Sequence, residues 1–205
     1  MICCVLLASG FGRRFGSNKL LYEVNGKPMY FHALQMLQTV SERKIGGHTV
    51  RVIVVSQYAE IEERTKRMGM QAVHNLDAAE GIAASVRYGV QAAGNAEWIA
   101  FFTADQPNLR ADTVARFLDA AVCQKKPMAS VTSQGTPGNP TVFHCSRREE
   151  LMKLSGDVGG RSIMKHHPDA VFWFEISEAE RCDFDVPPCS DENEPSAVDK
   201  PADVR

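Results

Sequence analysis

The sequence predicts a three-layer α/β/α fold around a mainly parallel sheet, with an antiparallel addition in its second half. Three observations carry that expectation. Short apolar runs of strand length alternate with longer amphipathic runs from Ile2 to Thr132, the pattern of βαβ units. Three of the runs, Ile2 to Leu7, Val50 to Val55 and Trp98 to Thr103, are apolar at nearly every position, as strands covered on both faces are. The first of them empties into a glycine-punctuated loop, and right-handed crossovers gather such loops on one edge of the sheet.

The elements follow in order. Ile2 to Leu7 reads as a buried strand. The loop after it holds Gly10, Gly12 and Gly16 together with Arg13, Arg14 and Lys19. Pro28 opens a helix reaching about Val40, since its fixed φ suits a first helical turn. Gly46-Gly47 breaks that helix, and Val50 to Val55 is the second buried strand. Tyr58 to Met68 is an amphipathic helix and Met70 to His74 a short strand. Glu80 to Ala93 returns to helix, with Ile82, Val86 and Val90 on one face. Trp98 to Thr103 is a strand ending in Ala104-Asp105-Gln106-Pro107, and Ala111 to Gln124 a helix. Met128 to Thr132 is a strand, Thr136 to Pro140 a loop, and Thr141 to His144 an added, antiparallel strand. Arg147 to Leu154 and Gly160 to His167 are short helices, and Val171 to Ile176 is a late strand. A single domain is expected over 1–187. Residues 188–205, rich in Pro, Asp, Glu and Ser, read as a disordered tail.

Composition bounds the function. A chain of 205 residues, 44% hydrophobic and 23% charged, is an ordinary globular domain with a sizeable core. A net charge of −2 gives no bulk attraction to nucleic acid or to an anionic membrane, so any anion site is local. Ile2 to Ala8 is too short to span a bilayer and has no basic segment before it, so it is not a signal peptide. The six cysteines include no C-x-x-C pair, and Cys3 and Cys4 must face opposite sides of a strand. The expectation is of reduced, buried thiols in a cytoplasmic protein, without a disulfide scaffold or zinc site. The histidines show no ligand spacing, and no Ser/His/Asp or Cys/His nucleophile arrangement is readable.

Several constellations carry chemistry. Glycines let backbone N–H groups approach an anion closely, and Arg14 and Lys19 add cationic donors to the first loop; a tight turn is the plainer alternative. The loop is neither a Walker A motif, since Asn18-Lys19-Leu20 lacks its Gly-Lys-Ser/Thr close, nor a complete dinucleotide fingerprint. Asp105, just past a buried strand, is placed to coordinate Mg²⁺ or else to begin a turn or cap a helix. Gly81 and Ser85, in a small-residue helix start, leave room for a flat group or simply for helix packing. Gly156-Asp157-Val158-Gly159-Gly160-Arg161 can bind a substrate phosphate or start a helix with Asp157 as its cap. Asp183 and Asp185 share one face of an extended segment, as a second metal ligand or as solvated charge. If all strand ends share one edge, the first loop and Asp105 meet in space.

Four motifs together resemble a known family. Leu7-Ala8-Ser9-Gly10-Phe11-Gly12-Arg13-Arg14-Phe15-Gly16, followed by Lys19, resembles the L-A-x-G-x-[SG]-x-R-[MF]-G…K signature of nucleotidyltransferases. Thr103-Ala104-Asp105-Gln106-Pro107, Gly138-Asn139-Pro140 and Gly156 to Arg161 resemble the A-D-x-P, G-N-P and G-D-x-G-A-R motifs of MobA-like NTP transferases, closest to the molybdenum cofactor cytidylyltransferase group. Gly160 stands where alanine is usual. The resemblance spans roughly residues 1–187.

It implies a Rossmann-like nucleotidyltransferase fold and transfer of CMP from CTP to the terminal phosphate of molybdopterin cofactor, with Mg²⁺ and release of pyrophosphate. Arg14, Lys19 and Asp105 become the catalytic set. Leu7, Ala8, Ser9, Gly10, Gly12, Gly81, Ser85 and Ala104 join Arg14 and Lys19 around the nucleotide. Asn139, Gly156, Asp157 and Arg161 bind the acceptor, and Asp105 and Asp185 hold the metal. Related enzymes have Thr-Pro after the aspartate matching Asp185, where this chain has Val186-Pro187. Related guanylyltransferases carry Gly-Gly at Ser9-Gly10 and related cytidylyltransferases Ala-Gly, which favours CTP. GTP or a sugar phosphate as substrate are the alternatives within the class. Outside it stands a non-catalytic chaperone delivering cofactor to a molybdenum hydroxylase apoenzyme.

Overall fold

The computed structural model describes residues 1–10 and 18–183. Its strands are β1 (Ile2–Ala8), β2 (Glu23–Val24), β3 (Lys27–Pro28), β4 (Lys44–Ile45), β5 (His48–Ser56), β6 (Gln71–His74), β7 (Trp98–Thr103), β8 (Met128–Ser133), β9 (Thr136–His144) and β10 (Val171–Glu175). The α-helices are α1 (Met29–Ser41), α2 (Ala59–Arg67), α3 (Ile82–Ala92), α4 (Ala111–Cys123), α5 (Arg148–Met152), α6 (Arg161–His166) and α7 (Glu178–Arg181).

One sheet runs in the order β10-β8-β9-β7-β1-β5-β4, with β6 also paired to β5. β1 lies parallel between β5 and β7, β6 is parallel to β5, and β10 is parallel to β8. β9 runs antiparallel to both β7 and β8, so β8 and β10 point the same way as β1 and β7. The fold is therefore the expected mainly parallel, three-layer sheet with its antiparallel addition. Six strands deliver their C-termini to one edge.

The central position of β1 follows from its composition. Ile2, Cys3, Cys4, Val5 and Leu6 are fully buried. Ile2, Cys4 and Leu6 pack into the core beneath α1 and α4, with Leu34, Leu37, Phe117 and Leu118. Cys3 and Val5 face the opposite core, with Val86 and Val90 of α3, Leu151 and Met164. Gly89 lets α3 lie close on β1, because a Cβ there would stand 2.6 Å from Val5 Cγ1. That contact sets the height of α3 and with it the loop before the helix.

Three expectations need correction. Thr136 to Pro140 is not a loop but the first half of β9. The chain reverses earlier, at Gln134 and Gly135, whose φ values of 50° and 75° form a two-residue hairpin turn. A register shift between Ser130 and Thr132 then lets the proline-containing stretch pair. Gly46-Gly47 does not end the first helix, which stops at Ser41 before β4; it turns the β4–β5 hairpin. The thiols are not all buried: Cys3 and Cys4 are, while Cys123, Cys145 and Cys182 are exposed. Burial pushes both buried thiols up from the ordinary range, with Arg51 partly opposing it at Cys3. They are core side chains rather than nucleophiles. The expected tail, 188–205, lies outside the described residues.

Gly160, at the start of α6, is set by packing. A Cβ there would meet Phe143 Cζ at 2.7 Å and Cε2 at 2.8 Å, and Phe143 is fully buried and cannot swing away. Gly160→Ala should therefore destabilise the protein by about 1–3 kcal/mol, the usual cost of overpacking, lowering the melting temperature by roughly 3–10 °C. The double variant with Phe143→Leu should recover part of that loss. An unchanged melting temperature in the single variant would contradict the contact.

Candidate functional site

The C-terminal edge of the sheet is tied together by side chains bonded to backbone carbonyls. Ser56 Oγ donates to the Ala8 carbonyl at 3.0 Å, and Ser9 Oγ donates to that of Val55 at 3.2 Å. Gln57 Nε2 donates to the Ser9 carbonyl at 2.7 Å, and the Tyr58 hydroxyl to that of Gly10 at 2.8 Å. The first loop thus leaves β1 at a fixed point. It returns at Asn18, whose Oδ1 accepts from the Leu20 N–H at 3.1 Å and caps a short 3₁₀ turn, Lys19–Leu21. Gly12, Arg14 and Gly16 fall between these anchors, outside the described residues.

Lys19 meets Asp105 as the topology predicts. Its Nζ lies 3.4 Å from Asp105 Oδ2, with both side chains mostly buried. Five buried side-chain polar atoms have no partner among the described residues. Four of them, Asn18 Nδ2, Thr103 Oγ1, Asp105 Oδ1 and Gln106 Oε1, belong to residues at this edge. A buried polar group left unpaired costs about 1–3 kcal/mol, so these atoms are available to ordered water, an ion or a ligand at this edge. Asp105 Oδ1 and Thr103 Oγ1 are hard oxygen donors, which suits a divalent cation held jointly with substrate phosphates. Among the described residues no group of three or more His, Cys, Asp or Glu can hold a metal. Asp185 lies outside the described residues, and Asp183, just inside them, is exposed.

A cleft of about 440 Å³ opens beside this pair, lined by Leu7, Ser9, Gly10, Gly81, Ser85, Ala104, Asp105 and Asp157. Gly81 is required there twice over. Its φ is +98°, and a Cβ would lie 2.7 Å from the backbone of Gly156. The Ala83 N–H donates to the Gly156 carbonyl at 3.2 Å, so the two glycine loops support each other. Ser85 is buried and accepts from Asn75 Nδ2 at 2.9 Å, which leaves its O–H to donate. Ala8, expected at the nucleotide, is instead fully buried in the core, because β1's alternation turns it away from the cleft.

A second cavity, about 920 Å³, is lined by Asn139, Thr141, Arg161, Lys165 and Trp173 among others. Leu7, Ile82, Thr103 and Asp157 line both cavities, which therefore adjoin. Asp157 does not cap α6, whose N-cap is Gly160 without a side-chain bond; it stands at the junction. Gly156, expected at the acceptor, is among the lining residues of neither cavity; its carbonyl accepts from the Ala83 N–H. Gln106, 2% exposed, donates from Nε2 to the Arg181 carbonyl at 2.7 Å and to that of Asn139 at 3.4 Å. It joins the Asp105 turn to both β9 and α7. α7 is held in turn by buried Glu180, which accepts from Arg110 Nε at 3.1 Å.

Sequence reasoning did not single out Gln57, Tyr58, Asn75 or Trp173, and it named Gln106 only as part of a motif. The first three donate to carbonyls of the first loop or to the Ser85 hydroxyl on α3, and such pairings leave no periodic trace.

Residues 4–171 match the family described as a MobA-like NTP transferase domain. The 2-C-methyl-D-erythritol 4-phosphate cytidylyltransferase of Citrobacter koseri is 25% identical over 163 residues, 73% of this chain and 66% of that protein. A probable molybdenum cofactor guanylyltransferase of Thermococcus gammatolerans is 31% identical over 68 residues, 33% of this chain and 32% of its own length. The chain thus spans just under two thirds of the first relative and about one third of the second. Among solved structures, Rv0371c of Mycobacterium tuberculosis superposes with a TM-score of 0.72 at 21% identity, over 90% of this chain and 92% of that one. The same protein has also been crystallised with manganese. No helix among the described residues is long and apolar enough to cross a membrane.

Proposed function

Because the chain belongs to the MobA-like NTP transferase family, we propose that it transfers CMP from CTP to the terminal phosphate of molybdopterin cofactor and releases pyrophosphate. The observation that supports this most is the Lys19–Asp105 pair, with a carboxylate oxygen that has no partner among the described residues, beside two adjoining cavities. The smaller cavity takes the nucleotide and the larger one the acceptor.

The chemistry asks little of the protein beyond placement and charge. An oxygen of the acceptor phosphate is the nucleophile. It forms a bond to the α-phosphorus of CTP as the bond from that phosphorus to the bridging oxygen breaks, and pyrophosphate leaves. No side chain needs to become covalently attached. The side chains of Lys19 and Arg14 donate to the triphosphate, and the Asp105 carboxylate holds the divalent ion, for which Mg²⁺ is expected. When bound, that ion neutralises charge on the α-phosphate and the leaving group. Alignment of the two phosphates across the Asp157 junction provides the rest. We place the reaction in the cytoplasm, where exposed thiols such as Cys123, Cys145 and Cys182 remain reduced.

CTP is favoured by Ser9. It lines the nucleotide cleft, and its hydroxyl is held by the Val55 carbonyl, so its Cβ is fixed in place. A fixed Cβ narrows the slot toward a single pyrimidine ring. Comparison of kcat/KM for CTP and GTP, read by pyrophosphate release, tests this. Wild type should prefer CTP, and Ser9→Gly should shift the ratio toward GTP by roughly 10–200-fold. The Thermococcus guanylyltransferase relative supplies the opposing case: a wild-type preference for GTP would assign guanylyl transfer instead.

A further inference from the structure

The acceptor cavity has a wall that the reaction above does not use. β10 is the edge strand of the sheet. Alternation along it sends Val171 and Trp173 to the face covered by α3, α5 and α6. Val171 is buried under that layer at 1% exposure. Trp173, one step nearer the C-terminal edge, is 42% exposed and lines the cavity. The chain's other tryptophan, Trp98, is 6% exposed. A large indole left open at the rim of a cavity, rather than folded into either core, is a surface awaiting a partner.

The rest of the cavity narrows what that partner is. Arg161 and Lys165 stand four residues apart on α6 and both line it, so they present two cations on one helix face. β9 adds the polar residues Asn139 and Thr141 to the lining. An aromatic wall, a pair of cations and a polar edge together fit a flat, conjugated heterocycle with an anionic arm. A small polyol phosphate has no π-face for the indole and would leave much of the 920 Å³ to water.

We propose that Trp173 is the stacking wall of the acceptor pocket and selects a planar heterocyclic phosphate, whose arm lies along Lys165 and Arg161 toward the Asp157 junction. This rests on the reading of the larger cavity as the acceptor site. The test is calorimetric titration of wild type, Trp173→Ala and Trp173→Phe with neopterin phosphate, with 2-C-methyl-D-erythritol 4-phosphate as the comparison ligand. Neopterin phosphate should bind wild type more tightly than the polyol phosphate. Trp173→Ala should weaken it by roughly 10- to 100-fold, the usual effect of losing one aromatic stack, and Trp173→Phe should restore most of the affinity. Equal affinity in wild type and Trp173→Ala overturns the proposal, as does a polyol phosphate that binds wild type at least as well. Binding through Trp173 without any CMP transfer leaves the wall standing and removes the reaction proposed above. CMP transfer to molybdopterin at undiminished kcat/KM in Trp173→Ala does the reverse.

Discussion

Asp105→Asn should abolish pyrophosphate release while leaving the melting temperature close to that of wild type. The substitution keeps the shape of the side chain and removes its charge. One carboxylate oxygen lies 3.4 Å from Lys19, and the other is buried without a partner among the described residues. A divalent ion of this kind is held by only one or two carboxylates plus the substrate phosphates, so loss of one removes most of the protein's grip on it. Metal neutralisation of a phosphoryl transition state is worth several kcal/mol, so turnover should fall on the order of 10³-fold or more. Stability should change little, since the contact with Lys19 is long at 3.4 Å, the other carboxylate oxygen already lacks a partner among the described residues, and the amide oxygen of the isosteric side chain can still accept from the ammonium. Turnover and thermal denaturation on the same preparation separate the two effects. Wild-type activity at limiting divalent ion would remove Asp105 from the chemistry.

Lys19→Ala should act on kcat more than on KM. The ammonium rests against Asp105, which lines the smaller cleft, and on the proposed function it donates to the triphosphate. Negative charge grows on the leaving pyrophosphate as the bond breaks, so a cation placed there gains more in the transition state than in the ground state. Removal of one such preorganised donor costs about 10²–10³-fold in kcat. Steady-state kinetics with varied CTP give the split. If KM alone rises, Lys19 serves binding and not catalysis.

Particular residues show what the sequence made legible. β1, β5 and β7 are legible because a strand covered on both faces must be apolar almost throughout. That the first loop and Asp105 meet follows from topology: parallel strands with right-handed crossovers bring their ends to one edge, however far apart the residues lie in sequence. The start of β9 is masked because Pro137, Gly138 and Pro140 are loop formers by composition, whereas the reversal is made by Gln134 and Gly135. The Asn25-Gly26 turn of the β2–β3 hairpin has the right residues, but strands of two residues offer no alternation to read. In the site, the lining role of Ser9, Gly81, Ser85 and Asp105 was accessible through motif and position. Trp173 was not, because its exposure depends on β10 being an edge strand. Arg14 and Asp185 lie outside the described residues, and their roles rest on the proposed function.

The most direct test of the central claim is the mass of the product. The protein should be incubated with CTP, Mg²⁺ and molybdopterin cofactor, and the pterin fraction examined by mass spectrometry. Nucleotidyl transfer predicts a new species heavier than the cofactor by one CMP residue, appearing in step with pyrophosphate and absent with Asp105→Asn. A cofactor recovered unchanged, whether supplied with CTP, GTP or both, would contradict the account.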